Sequence, residues 1–348
     1  MNTYTITNRK NSYEIDKTKR NVLIIGKAAS NNKLKTIINP LTTNQAYKLY
    51  GNSRLYEAYR TARNISNDTN IYTVNCEVFT DFIEIIDDII HYNFDFIVPI
   101  DINFRDTFMN PITNKSVYFS SYYLEKLGKT KNKTILIMSD RESYLYEDID
   151  SYLSDMRNIY SDYINNNNDI INNYGNNLIF VLNNFTSNRY SNVVLAASLS
   201  VCDFDSYPKN INYKTYFDID YSDFNYTNSI CFYKYHPTAD YSSVEQLYNF
   251  RPLKDVYQKV LIDLVVKYVV SKLDLNEFSG TLYTPYIRVK IDIKIKSIME
   301  EMQGVVFKSF SINNISFKKT EIGAGYLIVD ISIVPHSLLE KINIFMEV

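Results

Sequence analysis

The chain has no tryptophan, and its 348 residues include only eight glycines, eight prolines, three cysteines and three histidines. Each shortage excludes something. Phosphate-cradling loops need glycine for positive φ and for close backbone approach. Gly26 does follow an apolar run, but the next residues are KAASNN, with no second glycine and no GK[ST]. The GAG at 323–325 precedes a strand pattern and reads as a turn. Cys76, Cys202 and Cys231 are odd in number and far apart, so neither a disulfide framework nor metal-ligand spacing exists, which suits a reducing cytoplasm. His91, His236 and His336 stand in unrelated contexts without partners at a diagnostic spacing, and read as surface or turn residues. No cofactor, metal or catalytic constellation is expected.

Long hydrophobic runs and an excess of one charge are also missing. The most apolar window, VLIDLVVKYVV, is broken by Asp263 and Lys267, and the polar start MNTYTITNRKNSYEIDK is unlike a signal peptide. A formal net charge of −2 with no dense Lys/Arg cluster argues against a nucleic-acid binder, and membrane insertion is not expected. A hydrophobic fraction of 45% is enough for a sizeable core.

What is present is a strand–helix alternation. Apolar strand runs at 22–25, 71–74, 94–100, 134–138 and 178–182 alternate with amphipathic helices at 44–50, 54–62, 81–92, 151–165 and 192–200, with Thr43 and Ser53 as caps for the first two. Residues 103–133 read as loop with some helix at 118–127. This order predicts an α/β core with a mostly parallel sheet. Asp101, Asp106 and Asp140 follow its third and fourth strands, where such folds place ligand sites, although that location alone is generic. The paired acids Asp87-Asp88 and Glu300-Glu301 read as solvated helix faces.

The texture changes near residue 204, where strand-like pieces appear at 214–218 and 230–235. A long helix, 253–273, then opens a C-terminal α+β domain. Residues 286–302 fit two periods. Ile287, Val289, Ile291, Ile293 and Ile295 alternate as in a strand, while Ile287, Ile291, Ile295, Ile298 and Met302 form a helical stripe behind Thr284 and Pro285. The length favours helix, ended by Gly304. Strands follow at 305–312 and 325–334.

Both chain ends are strands without local partners. Thr3, Tyr4, Thr5, Ile6 and Thr7 precede a polar arm, and Ile342, Ile344, Met346 and Val348 alternate up to the last residue. Ends of this kind fray unless a sheet receives them.

The stretch VLIIGKA, INPLTTNQAYKLYGNSRLYEAYRTARN and IYTVNC resembles the tail sheath proteins of contractile phages and phage-tail-like bacteriocins. The residues carrying it are Ile24-Ile25-Gly26-Lys27-Ala28, Pro40, Ala46, Tyr50-Gly51-Asn52-Ser53-Arg54-Leu55 and Ala58. The Arg251-led helix, the helix closing at Gly304, the following hairpin and the strand after Pro335 are similar too. As a sheath protein the chain would be compact, because many relatives carry surface domains inserted in the middle. The resemblance implies an N-terminal arm (1–20), an α/β sheath core (21–250), a C-terminal α+β domain (251–335) and a donated C-terminal strand (336–348). It implies a structural subunit, not an enzyme, that assembles in a bacterial host's cytoplasm into a virion or tailocin tail sheath. There the two terminal strands would join neighbouring copies around an inner tail tube, beside baseplate and tail-terminator proteins. A basic face with Arg288, Lys290, Lys294 and Lys296 is the candidate tube contact. A sheath-like collar or baseplate component, and an α/β nucleotide-binding protein or enzyme, remain the alternatives.

Overall fold

Continuous apolar runs become central strands because both of their faces are covered. In the computed structural model every residue of β1 (Asn21–Gly26), β4 (Phe96–Pro99), β7 (Ile135–Ser139) and β8 (Leu178–Val181) is buried. The structure describes residues 20–201 except 31–32, 68, 78, 93, 111–112, 131–133, 141–147 and 183–189. It also describes 230–236, 241–246, 265, 268, 269, 272, 273, 278, 283–319 and 325–335. The chain divides into two compact units, with Lys19–Tyr257 the larger and Gln258–Val348 holding the described part of the smaller.

The larger unit is built on one sheet of order β10-β9-β8-β7-β4-β1-β3-β2. From β9 (Ile230–His236) to β3 (Asn70–Asn75) the six strands run parallel. The antiparallel edge strands are β2 (Ile37–Ile38) and β10 (Tyr241–Gln246). On one face α2 (Arg54–Ile65) and α6 (Ser191–Val201) pack against each other and over β1. On the other, Leu23 and Ile25 join Phe82 and Ile86 of α3 (Phe79–Ile89), Tyr123 of α4 (Phe119–Thr130) and Tyr152 of α5 (Ile149–Tyr174).

The start signals hold with one shift. Thr42, not Thr43, caps α1 (Thr43–Tyr50), accepting from the Gln45 N–H at 3.2 Å, and Gly51 ends that helix at φ +64°. Ser53 caps α2 by accepting from the Tyr56 N–H at 3.2 Å. The short strands β2 and β10 are absent from the sequence reading, the strand expected at 305–312 begins and ends later, at Phe307–Lys319, and two further regions differ. Residues 103–133 contain a small antiparallel hairpin, β5 (Thr107–Met109) with β6 (Ser116–Tyr118), whose three-residue strands are too short to show a period. Helix α5 runs past residue 165 to Tyr174 across a non-helical Asn167. The Asn167 amide donates to the Tyr163 carbonyl at 2.9 Å and accepts from Ser121 Oγ at 2.6 Å, which carries the helix over its break.

In the smaller unit residues 285–302 form a helix, α7 (Pro285–Met302), with Thr284 accepting from the Ile287 N–H and Pro285 at its start. Gly304 follows at φ +86°. The hairpin of β11 (Phe307–Lys319) and β12 (Gly325–Pro335) is a sheet of its own. The strand piece at 214–218, most of the helix at 253–273, and both terminal strands lie outside the described residues.

Candidate functional site

The carboxyl ends of the parallel strands are where an α/β enzyme would hold a ligand. Among the described residues, the crest beside β1 and β4 is occupied by the chain's own side chains. A phosphate cradle needs unused backbone N–H groups after β1. The Lys27 N–H donates to Asp101 Oδ2 at 2.6 Å, that of Ala28 to Asn75 Oδ1 at 2.9 Å, and that of Ala29 to the Tyr50 carbonyl at 2.9 Å. Gly26 is required by crowding, because a Cβ there would lie 2.4 Å from Ile100 Cγ1 and 2.5 Å from its Cδ1.

The three crest aspartates hold loops in place. Asp101 also pairs with Arg54 Nε at 3.3 Å, and Arg54 in turn donates to the Tyr190 hydroxyl at 3.1 Å. Asp106 accepts from the Asn103 N–H at 2.7 Å. The Asp140 side chain, 0% exposed, takes both arms of Arg105 at 2.8 and 2.5 Å, and Arg105 reaches Asp155 at 3.0 Å. Beside this pair Phe104 is buried, stacked on Phe180 with ring centroids 4.3 Å apart. Each carboxylate thus has a structural partner, which is why position after a strand was a weak signal.

Burial also quiets the remaining nucleophiles. It raises the Cys76 thiol to about 12, with Asp81 adding to the shift, and raises the Tyr50 and Tyr163 hydroxyls to about 12. Among the described residues no group of His, Cys, Asp and Glu could hold a metal, and no helix is long and apolar enough to cross a membrane. His91 is exposed in a turn and His236 ends β9, while His336 is outside the described residues.

The smaller unit carries an exposed apolar stripe. Helix α7 buries Ile291, Ile295, Ile298, Met299 and Met302. Its far side exposes Tyr286 at 74%, Val289 at 55% and Ile293 at 63%. These three fall within about 60° of arc at ~100° per residue. Residues two apart on a helix sit ~200° apart, so an alternating apolar run coats two opposite faces. That resolves the double period of 287–295. Arg288, Lys290, Lys294 and Lys296 do not form one face. Lys290 and Lys294 sit together with their ammonium groups 5.7 and 5.6 Å from the Phe278 ring, and Lys296 flanks the exposed stripe on the other side. Sequence reasoning missed the Tyr286/Val289/Ile293 stripe, although the strict alternation was its signal.

Strands β11 and β12 pair through eleven register positions, from Phe307↔Pro335 to Lys319↔Gly325. Among the described residues neither pairs with a third strand. Thr3, Tyr4, Thr5, Ile6, Thr7, Ile342, Ile344, Met346 and Val348 lie outside the described residues.

No protein-family model matches the chain, and no curated protein sequence does. Solved structures do match across both units. The contracted helical sheath of the anti-feeding prophage aligns with TM-score 0.59 at 8% identity, covering 99% of each chain. A chain of the same particle's baseplate gives 0.60 at 8%, covering 95% of this chain and 93% of its own. The sheath tail protein Lin1278 from Listeria innocua gives 0.52 at 8%, covering 91% and 95%. The chain has a tail-sheath fold. Within that fold the motif residues have structural roles: Ala46, Tyr50, Leu55 and Ala58 are fully buried, and the Pro40 carbonyl accepts from Tyr59 at 2.5 Å and Arg63 at 3.2 Å. They pack inside the core of the larger unit.

Proposed function

We propose that this chain is a structural subunit of a contractile tail, polymerising helically as a sheath around an inner tube and shortening to drive that tube through a cell envelope. The observation that carries the reading is the end-to-end match, 99% of both chains, to a contracted helical sheath. The β11–β12 hairpin, which has no third strand among the described residues, adds support, since an open edge recruits strands from other chains through main-chain hydrogen bonds. In this reading the strands at 3–7 and 342–348 are donated to neighbours' hairpins. Burying Ile342, Ile344, Met346 and Val348 contributes ~1.5–3 kcal/mol each. Such head-to-tail contacts need not close, so they generate helical arrays. Contraction is then a change between two packings of the same cores, with no nucleotide consumed.

The tube faces the outward side of α7, where Tyr286, Val289 and Ile293 lie between Lys290 and Lys296. An apolar stripe with cationic flanks suits an acidic amphipathic partner surface. Baseplate and terminator proteins cap the two ends of the array in the assembled particle.

The test is electron microscopy of the purified chain with and without residues 341–348. The full chain is expected to form stacked rings or hollow tubes, and the truncated chain to stay folded and monomeric. Normal polymers from the truncated chain would refute strand donation. A second reading, a sheath-like ring within a baseplate, is favoured by the equally good match to the prophage baseplate. It predicts single rings that never elongate.

A further inference from the structure

We propose that Arg20 is a mechanical clamp at the root of the N-terminal arm, hooking the arm's entry point into the core so that tension on the arm is not relieved by peeling β1 out of the sheet. The proposal rests on the reading that the arm ties one subunit to the next.

The first residue of the core would ordinarily fray, yet Arg20 is buried. Its guanidinium donates to the Leu199 carbonyl, 179 positions away, in the last turn of α6. A helix C-terminus leaves carbonyls unpaired and favours a cation. Residues 191–199 of α6 are all buried, and the helix lies across β1, β4 and β7, so the hook is set in a densely packed part of the core. A buried charge is rarely the choice that maximises equilibrium stability, because an apolar residue of similar size often does as well. A directional anchor is a different requirement, and the guanidinium meets it.

Other polar contacts brace the same point. The Arg20 carbonyl accepts from the Asn70 N–H at 3.3 Å. The Asn21 N–H donates to Asp95 Oδ2 at 2.7 Å, the Asp95 N–H returns to the Asn21 carbonyl at 2.9 Å, and the Asn70 amide donates to Asn21 Oδ1 at 3.1 Å. Ser66, Thr69 and Ser200 link the neighbouring loop to the same end of α6, with 2.9 Å between Thr69 and Ser200. Beyond the brace, β1 pairs at six positions with β3 and at four with β4, parallel on both sides. A pull along the β1 axis loads these bonds in shear, so they must fail together, whereas a sideways pull would open them one by one. Arg20 and its brace keep the pull on that axis.

The test is a constant-force measurement on unassembled full-length chains, held at the C-terminus and pulled either through the N-terminus or through a handle at the exposed Asn168. Arg20→Met is expected to shorten the lifetime of the core under load at least about tenfold when pulled through the N-terminus. It should leave the Asn168 pull and the thermal midpoint close to wild type. An unchanged lifetime overturns the clamp, and so does an equal shortening by both routes in step with a lowered midpoint, which marks an ordinary packing residue. If the methionine variant does not fold, Arg20→Lys, which keeps the charge but loses the planar fork, is held to the same outcomes. Because these chains are unassembled, the result is independent of whether truncation at residue 341 abolishes polymers.

Discussion

Replacing Gly26 by alanine separates the two roles a glycine can have at the end of a first strand. The added Cβ would sit 2.4 and 2.5 Å from Ile100 Cγ1 and Cδ1 and 3.0 Å from Asp101 Oδ2. Carbon pairs rest comfortably only at about 3.5–4.0 Å. Ile100 cannot simply withdraw: it is buried, and its N–H donates to the Ile25 carbonyl at 2.9 Å. Asp101 is committed to the Lys27 N–H and to Arg54. Overpacking of this kind costs about 1–3 kcal/mol, and the stiffer unfolded chain returns about 0.4–1 kcal/mol. At the middle of both ranges the net is about 1.3 kcal/mol, which lowers the melting temperature by about 3–5 °C for a unit of this size, read by circular dichroism on the full chain. Ile100→Ala alone costs about 2–5 kcal/mol. The double variant should lose at least about 1 kcal/mol less than the two single losses added, because the new methyl fills space that Ile100 has vacated. ATP and inorganic phosphate should shift neither protein. A neutral Gly26→Ala, strict additivity, or a nucleotide that stabilises only the wild type would refute the reasoning.

Asp140→Ala should be among the most damaging changes, at about 3–5 kcal/mol, because it removes the buried carboxylate that takes both arms of the Arg105 guanidinium; thermal denaturation reads it, and a loss below about 1 kcal/mol would show the pair to be dispensable. Alkali should destabilise the fold. Cys76, Tyr50 and Tyr163 keep their protons up to about 12 when folded, against usual values of 9.0, 10.0 and 10.0. Their contribution is complete below those usual values and is lost as pH rises toward the folded ones, since the unfolded chain gives up its protons first. Cys76→Ala should therefore flatten the earliest part of the decline, between pH 9 and 10 on a melting curve series, as judged from the usual thiol value. Ile293→Asp, on the outward side of α7, should change stability by no more than about 0.5 kcal/mol yet abolish decoration of tail tubes in the microscope; intact decoration would exclude that face as the contact.

Much of this architecture was legible without coordinates. Four runs, at 22–25, 71–74, 134–138 and 178–182, read as core strands, and Ser53, Thr284 and Gly304 mark helix ends by chemistry confined to a few neighbouring residues. Local steric and hydrogen-bonding preferences act within one turn, so the sequence displays them directly. Less was legible where a side chain's partner is distant. Asp101, Asp106 and Asp140 carry the location of a ligand site, and only the contacts with Lys27, Arg54, Asn103 and Arg105 reveal loops being held. The alternating run at 287–295 fitted strand or helix until one face was seen to be covered and the other bare.

By itself, then, the sequence determined an α/β chain with buried core strands and a capped helix at 285–302, because composition, period and capping are local properties. The tertiary structure alone decided that the backbone N–H groups after β1 are already bonded, that α7 is apolar on two sides, and that Arg20 meets Leu199 across 179 positions. Those outcomes depend on which distant groups fold together, and no local pattern encodes that.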